Sequence, residues 1–219
     1  MTRFFHKELE KIKKMILSLG AMVEERINMA TKVIESRDPD LAKKIIETDH
    51  EIDEMEVEVE EECLKILTLY QPVAVDLRFL IAVIKINNEL ERIGDQAVNI
   101  AERIQVIAKQ DRDDFFFDYS LMAEKAEFML KKSIDALVNL DIDIALDVCR
   151  LDNEVDNLRD EAYDQIKEAM SKHPDYLGYL INLLLISRHL ERLADLSTNI
   201  AEEVIYLIEG EIIRHGRYN

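Results

Sequence analysis

The chain of 219 residues is 48% apolar and 34% charged, and its formal net charge at pH 7 is −18. So many apolar residues exclude a disordered chain, and so acidic a surface repels nucleic acid and anionic lipid, which are bound through basic patches. Only 5 glycines and 3 prolines interrupt a sequence rich in Glu, Leu, Ile, Lys and Ala, and this composition predicts an all-α fold.

Apolar residues recur at three- and four-residue spacing through six segments, which predicts six helices. Asp38 and Pro39 offer an N-cap and a first-turn proline for the second helix, and Pro72 breaks the chain before the third. Asp141 and Pro174 mark equivalent breaks in the second half. The predicted helices span residues 3–36, 40–69, 76–109, 119–139, 142–171 and 176–210.

The apolar runs are too short to cross a membrane. The longest, residues 79–84 and 183–186, fall far below the roughly 18 residues of a spanning helix, and the N-terminus lacks the hydrophobic core of a signal peptide. Cys63 and Cys149 lie in apolar helical patterns without CxxC spacing, so they are interpreted as buried thiols. These features predict a cytoplasmic protein without a membrane span.

One motif occurs twice in the chain. It reads ERIGDQAVNIAE at residues 91–102 and ERLADLSTNIAE at residues 191–202, a shift of 100. An acid pair one helical turn apart also recurs, at a shift of 103. The two copies of this pair are Asp49 with Asp53 and Asp152 with Asp156.

A polar interruption at residues 110–120 separates the two copies, and its three phenylalanines, residues 115–117, are expected to dock onto a helix. The duplication predicts two tandem, pseudo-symmetric three-helix bundles. We place the first repeat at residues 1–112 and the second at residues 113–219.

The repeated polar residues form a file on one side of each helix. In the first half this file consists of Glu91, Asp95, Asn99 and Glu102. At 100° per residue these positions fall within about 80° of arc. Antiparallel packing of the neighbouring helix would bring Asp49 and Asp53 face to face with the file, and the same geometry is available in the second half.

Carboxylates placed so closely repel one another, so this arrangement calls for a positive partner. Arg92 and Arg192 follow the first acid of each motif but point about 100° away from it, so we expect neither to neutralise its file. Oxygen ligands favour a hard cation such as Mg²⁺, Mn²⁺, Ca²⁺ or iron over zinc or copper. The alternatives are a solvated helix face and a polar seam satisfied by Lys, Arg and water.

The sequence offers little evidence for an enzyme. It contains no Ser-His-Asp or Cys-His set and no Gly-rich phosphate loop. Glu47 and His50 form one E-x-x-H, but di-iron carboxylate bundles use two such motifs, so His50 is interpreted as a capping or surface residue. A carboxylate-bridged iron protein with oxidase or storage chemistry is the alternative hypothesis.

At these motifs the sequence resembles the PhoU family of bacterial phosphate-transport regulators. The resemblance covers nearly the whole chain and is carried by DHEID (49–53), QPVAVDLRFLIAVIKINNELERIGD (71–95), LDNEVD (151–156) and HLERLADLSTNIAEEVIYLIEG (189–210). It implies two three-helix bundles, a homodimer, and metal clusters, iron in some members, bound by E/D-x-x-x-D motifs.

The resemblance also implies the metal ligands. The first acid cluster comprises Asp49, Asp53, Glu91 and Asp95, and the second acid cluster comprises Asp152, Asp156, Glu191 and Asp195. Additional ligands or supporting groups are Asn99, Glu102, Asn199 and Glu202.

The two halves are not identical. Ala194 replaces Gly94, and Gly178 replaces Arg78, so we expect a functional surface around Asp76 and Arg78 that exists only once. The resemblance further implies a non-enzymatic negative regulator of phosphate uptake. Its implied partners are the transporter ATPase PstB and the sensor kinase PhoR.

Overall fold

The computed structural model describes residues 3–109 and 117–210. Within these ranges all regular elements are helical, as the composition predicts. The α-helices are α1 (Arg3–Ser36), α2 (Pro39–Glu47), α3 (His50–Tyr70), α4 (Ala74–Ile107), α5 (Ser120–Asn139), α6 (Ile142–Lys172) and α7 (Leu177–Glu209), and one 3-10 turn (Pro174–Tyr176) precedes α7.

The helix bounds agree closely with the sequence analysis, except in the second segment. Residues 40–69 form two helices, α2 and α3, because the chain turns at Thr48 and Asp49. The predicted cap of α2 is confirmed, since the Asp38 carboxylate accepts hydrogen bonds from the backbone N–H groups of Asp40 and Leu41. Asp141 caps α6 in the same way.

The helices form two bundles in tandem. The first contains α1, α2, α3 and α4, and the second contains α5, α6 and α7. Helices α4 and α7, which carry the duplicated motif, lie against each other, and α1 lies against α5. One hydrophobic core runs through both bundles. The predicted all-α fold of two three-helix bundles is therefore confirmed. The second predicted helix of the first bundle is divided into α2 and α3.

Hydrogen bonds join α4 to α7 across the contact between the bundles. Lys85 Nζ lies 3.0 Å from both carboxylate oxygens of Glu203, and His189 Nδ1 lies 3.0 Å from Gln96 Oε1. The halves are thus joined by polar contacts as well as by the shared core.

The remaining expectations concern isolated residues. Cys63 and Cys149 are buried, and neither forms a disulfide bond. Phe117 packs against the core, as predicted, whereas Phe115, Phe116 and the expected repeat boundary at residue 112 lie outside the described residues. In the described part of the chain, none of the helices combines the length and apolar character that crossing a bilayer requires.

Candidate metal centres

The first acid cluster lies where α3 begins against the middle of α4. Asp49 is the N-cap residue of α3, and Asp53 lies in its first turn. Between these two acids, Ile52 packs against Gly94 of α4, where a Cβ atom would lie 3.1 Å from Ile52 Cδ1. This close approach sets the acid pair of α3 beside Glu91 and Asp95 of α4.

A buried arginine of α1 creates the turn that presents Asp49. Only 6% of Arg26 is exposed, and its guanidinium donates to the carbonyl oxygens of Ile45 (3.4 Å) and Thr48 (3.1 Å). It also pairs with the carboxylate of Glu51 at 3.2 Å. Since the last carbonyls of a helix have no partner within the helix, this guanidinium caps α2 and lets α3 start at Asp49.

His50 takes part in the same turn. Its ring Nδ1 lies 3.0 Å from the carbonyl oxygen of Glu47, and the residue is exposed. This contact and the exposure agree with the interpretation of His50 as a capping or surface residue.

The first acid cluster carries negative charge that no bonded cation offsets. Among the described residues, no side chain donates a hydrogen bond to its four carboxylates and no Lys or Arg forms an ion pair with them. Burial and then the charges of Asp95, Asp53, Glu56 and Asp49 raise the pKa of Glu91 to about 7. The four acids therefore lie close enough to repel one another.

The same causes act on two further members of this cluster. Burial, followed by the charges of Asp53 and Asp95, raises the pKa of Asp49, although Arg26 opposes the shift. Burial and Asp53 raise the pKa of Asp95, against the opposing charge of Arg92. Both arginines thus act on the cluster from a distance, while their guanidinium groups bond elsewhere.

The second acid cluster, in contrast, contains a guanidinium. Arg159 of α6 places Nη1 2.7 Å from Glu191 Oε1 on α7 and 3.2 Å from Asp156 Oδ1 on its own helix. Its Nη2 also pairs with the exposed Asp160 at 2.9 Å. Arg159 therefore bridges the two helices that carry the cluster.

The other two acids of this cluster are bonded as well. Arg192 Nη1 lies 3.2 Å from Asp195 Oδ2, and the Thr198 hydroxyl donates to Asp152 at 3.3 Å. The prediction that Arg192 cannot neutralise its own file was wrong, because a long side chain reaches the acid three residues ahead despite the direction of its Cβ. The same prediction for Arg92 agrees with the structure, because its guanidinium pairs with Glu89, outside the cluster, at 3.1 Å.

Burial still perturbs the second acid cluster. Burial and the charges of Asp195 and Asp156 raise the pKa of Asp152 to about 6, against the hydrogen bond from Thr198. Burial and Asp195 also raise the pKa of Glu191, but Arg159 opposes this shift directly. Both clusters thus contain partly buried carboxylates, and they differ in how these are bonded.

A cleft of about 950 Å³ opens beside the second acid cluster. Its walls come from α4, α6 and α7 and include Asp152 and Asp195 together with the predicted Asn199 and Glu202. Asn199 donates to Glu89 of α4 at 3.1 Å. The lining also includes Lys85, Glu89 and Glu203, which were not predicted from the sequence.

Comparison with known proteins identifies the family. Residues 16–104 and 119–204 each match the model of the PhoU domain. The chain belongs to the PhoU family. A Clostridium acetobutylicum protein described as "Phosphate-specific transport system accessory protein PhoU homolog" is 35% identical over 96% of this chain and 97% of its own length. The Escherichia coli PhoU protein is 32% identical over 96% of this chain and 88% of its own length.

Solved PhoU structures share the fold. The crystal structure of PhoU from Pseudomonas aeruginosa superposes with a TM-score of 0.91 at 33% identity, and covers 94% of this chain and all of its own. The Streptococcus pneumoniae phosphate transport system regulatory protein PhoU gives a TM-score of 0.85 at 28% identity over 96% of this chain. The duplicated architecture is therefore that of PhoU proteins.

The side chains of this PhoU chain do not converge into finished metal sites. Among residues 3–109 and 117–210, no three His, Cys, Asp or Glu side chains are placed to hold one ion. Glu102 is exposed and pairs with Arg103 at 3.0 Å, and Asn99 is half-buried. The donor chemistry nevertheless fits a hard cation, because both clusters offer carboxylate oxygens from facing helices.

The surface predicted around Asp76 and Arg78 lines an apolar cavity of about 490 Å³. The ends of α1, α4, α5 and α7 meet there, and Val138 and Ile208 contribute to its lining. The equivalent Gly178 has open space within 4 Å of where its Cβ would lie. That this surface is functional stays a prediction.

Proposed function

We propose that this protein is a non-catalytic negative regulator of phosphate uptake and of phosphate-starvation signalling. The observation that carries the proposal is the likeness of 96% of the chain to proteins described as phosphate-specific transport system accessory proteins. Both repeats of the motif take part in this likeness. The acidic net charge of −18 suits binding to basic protein surfaces rather than to nucleic acid.

The proposed partners are the transporter ATPase PstB and the sensor kinase PhoR, with this protein acting as an adaptor between them in the cytoplasm. It would act as a homodimer. The family resemblance supports these partners and this stoichiometry. Sedimentation velocity at micromolar concentration tests the dimer, and a single monomeric species would contradict it.

Hard metal cations complete the proposal. The first acid cluster would hold one with Asp49, Asp53, Glu91 and Asp95, and the second with its four equivalents. A bound hard cation supplies positive charge that offsets the repulsion between carboxylates. The chain's own contribution is to hold paired acids on facing helices, through the Ile52 contact with Gly94 and the Arg26 cap of α2.

Deletion of the gene tests the regulatory role. We expect a phosphate-starvation reporter to be active in phosphate-rich medium in the deletion strain and silent again when the intact gene is restored. A reporter that stays silent in the deletion strain would contradict the proposal. Phosphatase or kinase turnover by the isolated protein would contradict its non-catalytic part.

Binding of the purified protein to its proposed partners tests the adaptor role. Purified protein is titrated with PstB and with the cytoplasmic part of PhoR, and Arg78→Ala is compared with Arg150→Ala. Arg78 lines the apolar cavity, whereas Arg150 is exposed on α6 and pairs with Asp147. Weaker binding by Arg78→Ala alone would place a partner at the cavity; no binding by the intact protein would remove the adaptor role.

The alternative of an iron oxidase or storage protein receives no specific support. Its signature histidine, His50, is engaged in capping α2. Oxygen-dependent turnover that is lost in Glu91→Ala would favour this alternative over the regulator.

A further inference from the structure

The two acid clusters differ at a residue that follows the acid pair in both repeats. The shift of 103 that relates Asp49 to Asp152 and Asp53 to Asp156 also relates Glu56 to Arg159. Both residues lie one turn beyond the acid pair on α3 and α6. At this position the first repeat adds a carboxylate and the second adds a guanidinium.

The difference bears on the glutamate that opens the second copy of the motif. Arg159 Nη1 lies 2.7 Å from Glu191 Oε1. Glu56, at the equivalent place in the first repeat, is a carboxylate and offers no such bond to Glu91.

The guanidinium of Arg159 lies where a cation bound by the second acid cluster would lie. Its Nη1 lies between carboxylates of two different helices, at 2.7 Å and 3.2 Å. A guanidinium makes strong, directional bonds to carboxylates and keeps its charge at all physiological pH values. A metal ion at the second acid cluster must first displace this group, because both would occupy the oxygens of Glu191 and Asp156.

In the described part of the chain, the arginines near the first acid cluster bond to other groups: Arg26 to the end of α2 and Arg92 to Glu89. Among residues 3–109 and 117–210, no Lys or Arg side chain is therefore bonded to its carboxylates.

We propose that Arg159 is the built-in cation of the second acid cluster, so that the first acid cluster is the higher-affinity metal site of this chain. This inference rests on the proposed metal binding. It makes the two sites unequal: the first fills at low cation concentration, and the second fills only when Arg159 swings away.

Binding of Mn²⁺ to chelator-treated protein tests the proposal. Isothermal titration calorimetry gives the affinities, and electron paramagnetic resonance counts the bound ions. We expect two classes of site whose dissociation constants differ at least 10-fold. Asp95→Asn should remove the tight class, whereas Asp152→Asn should remove the weak one.

Exchange of the differing residues provides the matched test. Arg159→Gln and Arg159→Glu should tighten the weak class about 10-fold or more and leave the tight class unchanged. Glu56→Arg should weaken the tight class by a similar factor. Arg159→Lys keeps the charge but not the two-pronged geometry, and should fall between the intact protein and Arg159→Gln.

The outcomes separate the two proposals. Two equal sites in the intact protein, or unchanged affinities in Arg159→Gln with unaltered helical circular dichroism, would overturn the role of Arg159 and leave metal binding intact. No Mn²⁺ bound by the intact protein or by any variant at millimolar concentration would overturn both.

Discussion

In the first repeat four carboxylates face one another across α3 and α4 without a bonded cation among the described residues, whereas Arg159 and Arg192 lie among their four counterparts in the second. The acid spacing is the same in both. Duplication therefore preserved the backbone positions of the acids while their charge balance diverged. The difference teaches that a repeated motif does not imply a repeated electrostatic state.

The largest effect we expect concerns the helix break that only the first repeat has. Arg26→Ala removes the cap of α2 and leaves buried carbonyl oxygens without a partner, so it should lower the free energy of unfolding by about 2 kcal/mol. Urea denaturation measures this. The control is Arg92→Ala, whose half-exposed pair with Glu89 should contribute less than about 0.5 kcal/mol. Equal losses in the two variants would show that the cap does not hold the break.

The next effect differs in size between the two clusters. In chelator at pH 8, Glu91→Gln removes repulsion and should raise the free energy of unfolding by about 1 kcal/mol, a value reduced for solvent screening. Glu191→Gln relieves the same kind of burial and repulsion but loses the ion pair with Arg159, so its gain should be smaller, below about 0.5 kcal/mol. Denaturation of both variants beside the intact protein tests this contrast. Equal gains would remove the electrostatic difference between the repeats.

The pH dependence of stability should follow one carboxyl group in each acid cluster. In the folded protein the pKa of Glu91 is about 7 and that of Asp152 about 6, both above their ordinary values of 4.5 and 3.8. The folded state therefore binds these protons more tightly than the unfolded state does, so the free energy of unfolding falls as pH rises from about 4 to about 7. The repulsion acts in full above that range.

Chelator-treated protein denatured at pH 5.5 and pH 8 measures this fall, which should be about 1 kcal/mol from Glu91 after allowance for screening. Glu91→Gln should reduce the fall. Added Mn²⁺ should restore stability at pH 8 and have little effect at pH 5.5. A stability that is higher at pH 8 in chelator would contradict the pKa assigned to Glu91.

The smallest effect concerns the packing beneath the acids. Ile52 contacts Gly94 in the first repeat, and the equivalent buried residues are Val155 and Ala194, so one methylene has been removed and one added. Gly94→Ala alone must push against Ile52 Cδ1, whereas Ile52→Val makes room for it. A double-mutant cycle should give a favourable coupling of about 0.5 kcal/mol. Additive effects would show that the two positions do not compensate.

Most of the fold could be predicted from the sequence, because apolar periodicity and the caps at Asp38 and Asp141 are local signals. The break between α2 and α3 could not. Residues 47–50 are compatible with a continuous helix, and the group that ends α2 is the guanidinium of Arg26 on another helix. Contacts between distant residues leave no local pattern.

The candidate site was predicted in part. The structure sets the paired acids on facing helices, and Asn199 and Glu202 line a cleft with Asp152. Glu102 instead pairs with Arg103. Arg159 was missed although its signal was available, since the shift of 103 leads to it three residues after Asp156. The prediction that Arg192 does not neutralise its file was wrong, because a side chain of this length reaches Asp195 whatever the direction of its Cβ atom.

Helix α4 bears on both clusters at once. Glu91 and Asp95 on one side belong to the first, and Lys85 and Glu89 on another side form a wall of the cleft beside the second. A helix moves as a rigid rod, so any sliding or rotation of α4 against α3 also reshapes that cleft. The two sites therefore share helix α4, and a displacement of this helix at one site also displaces it at the other.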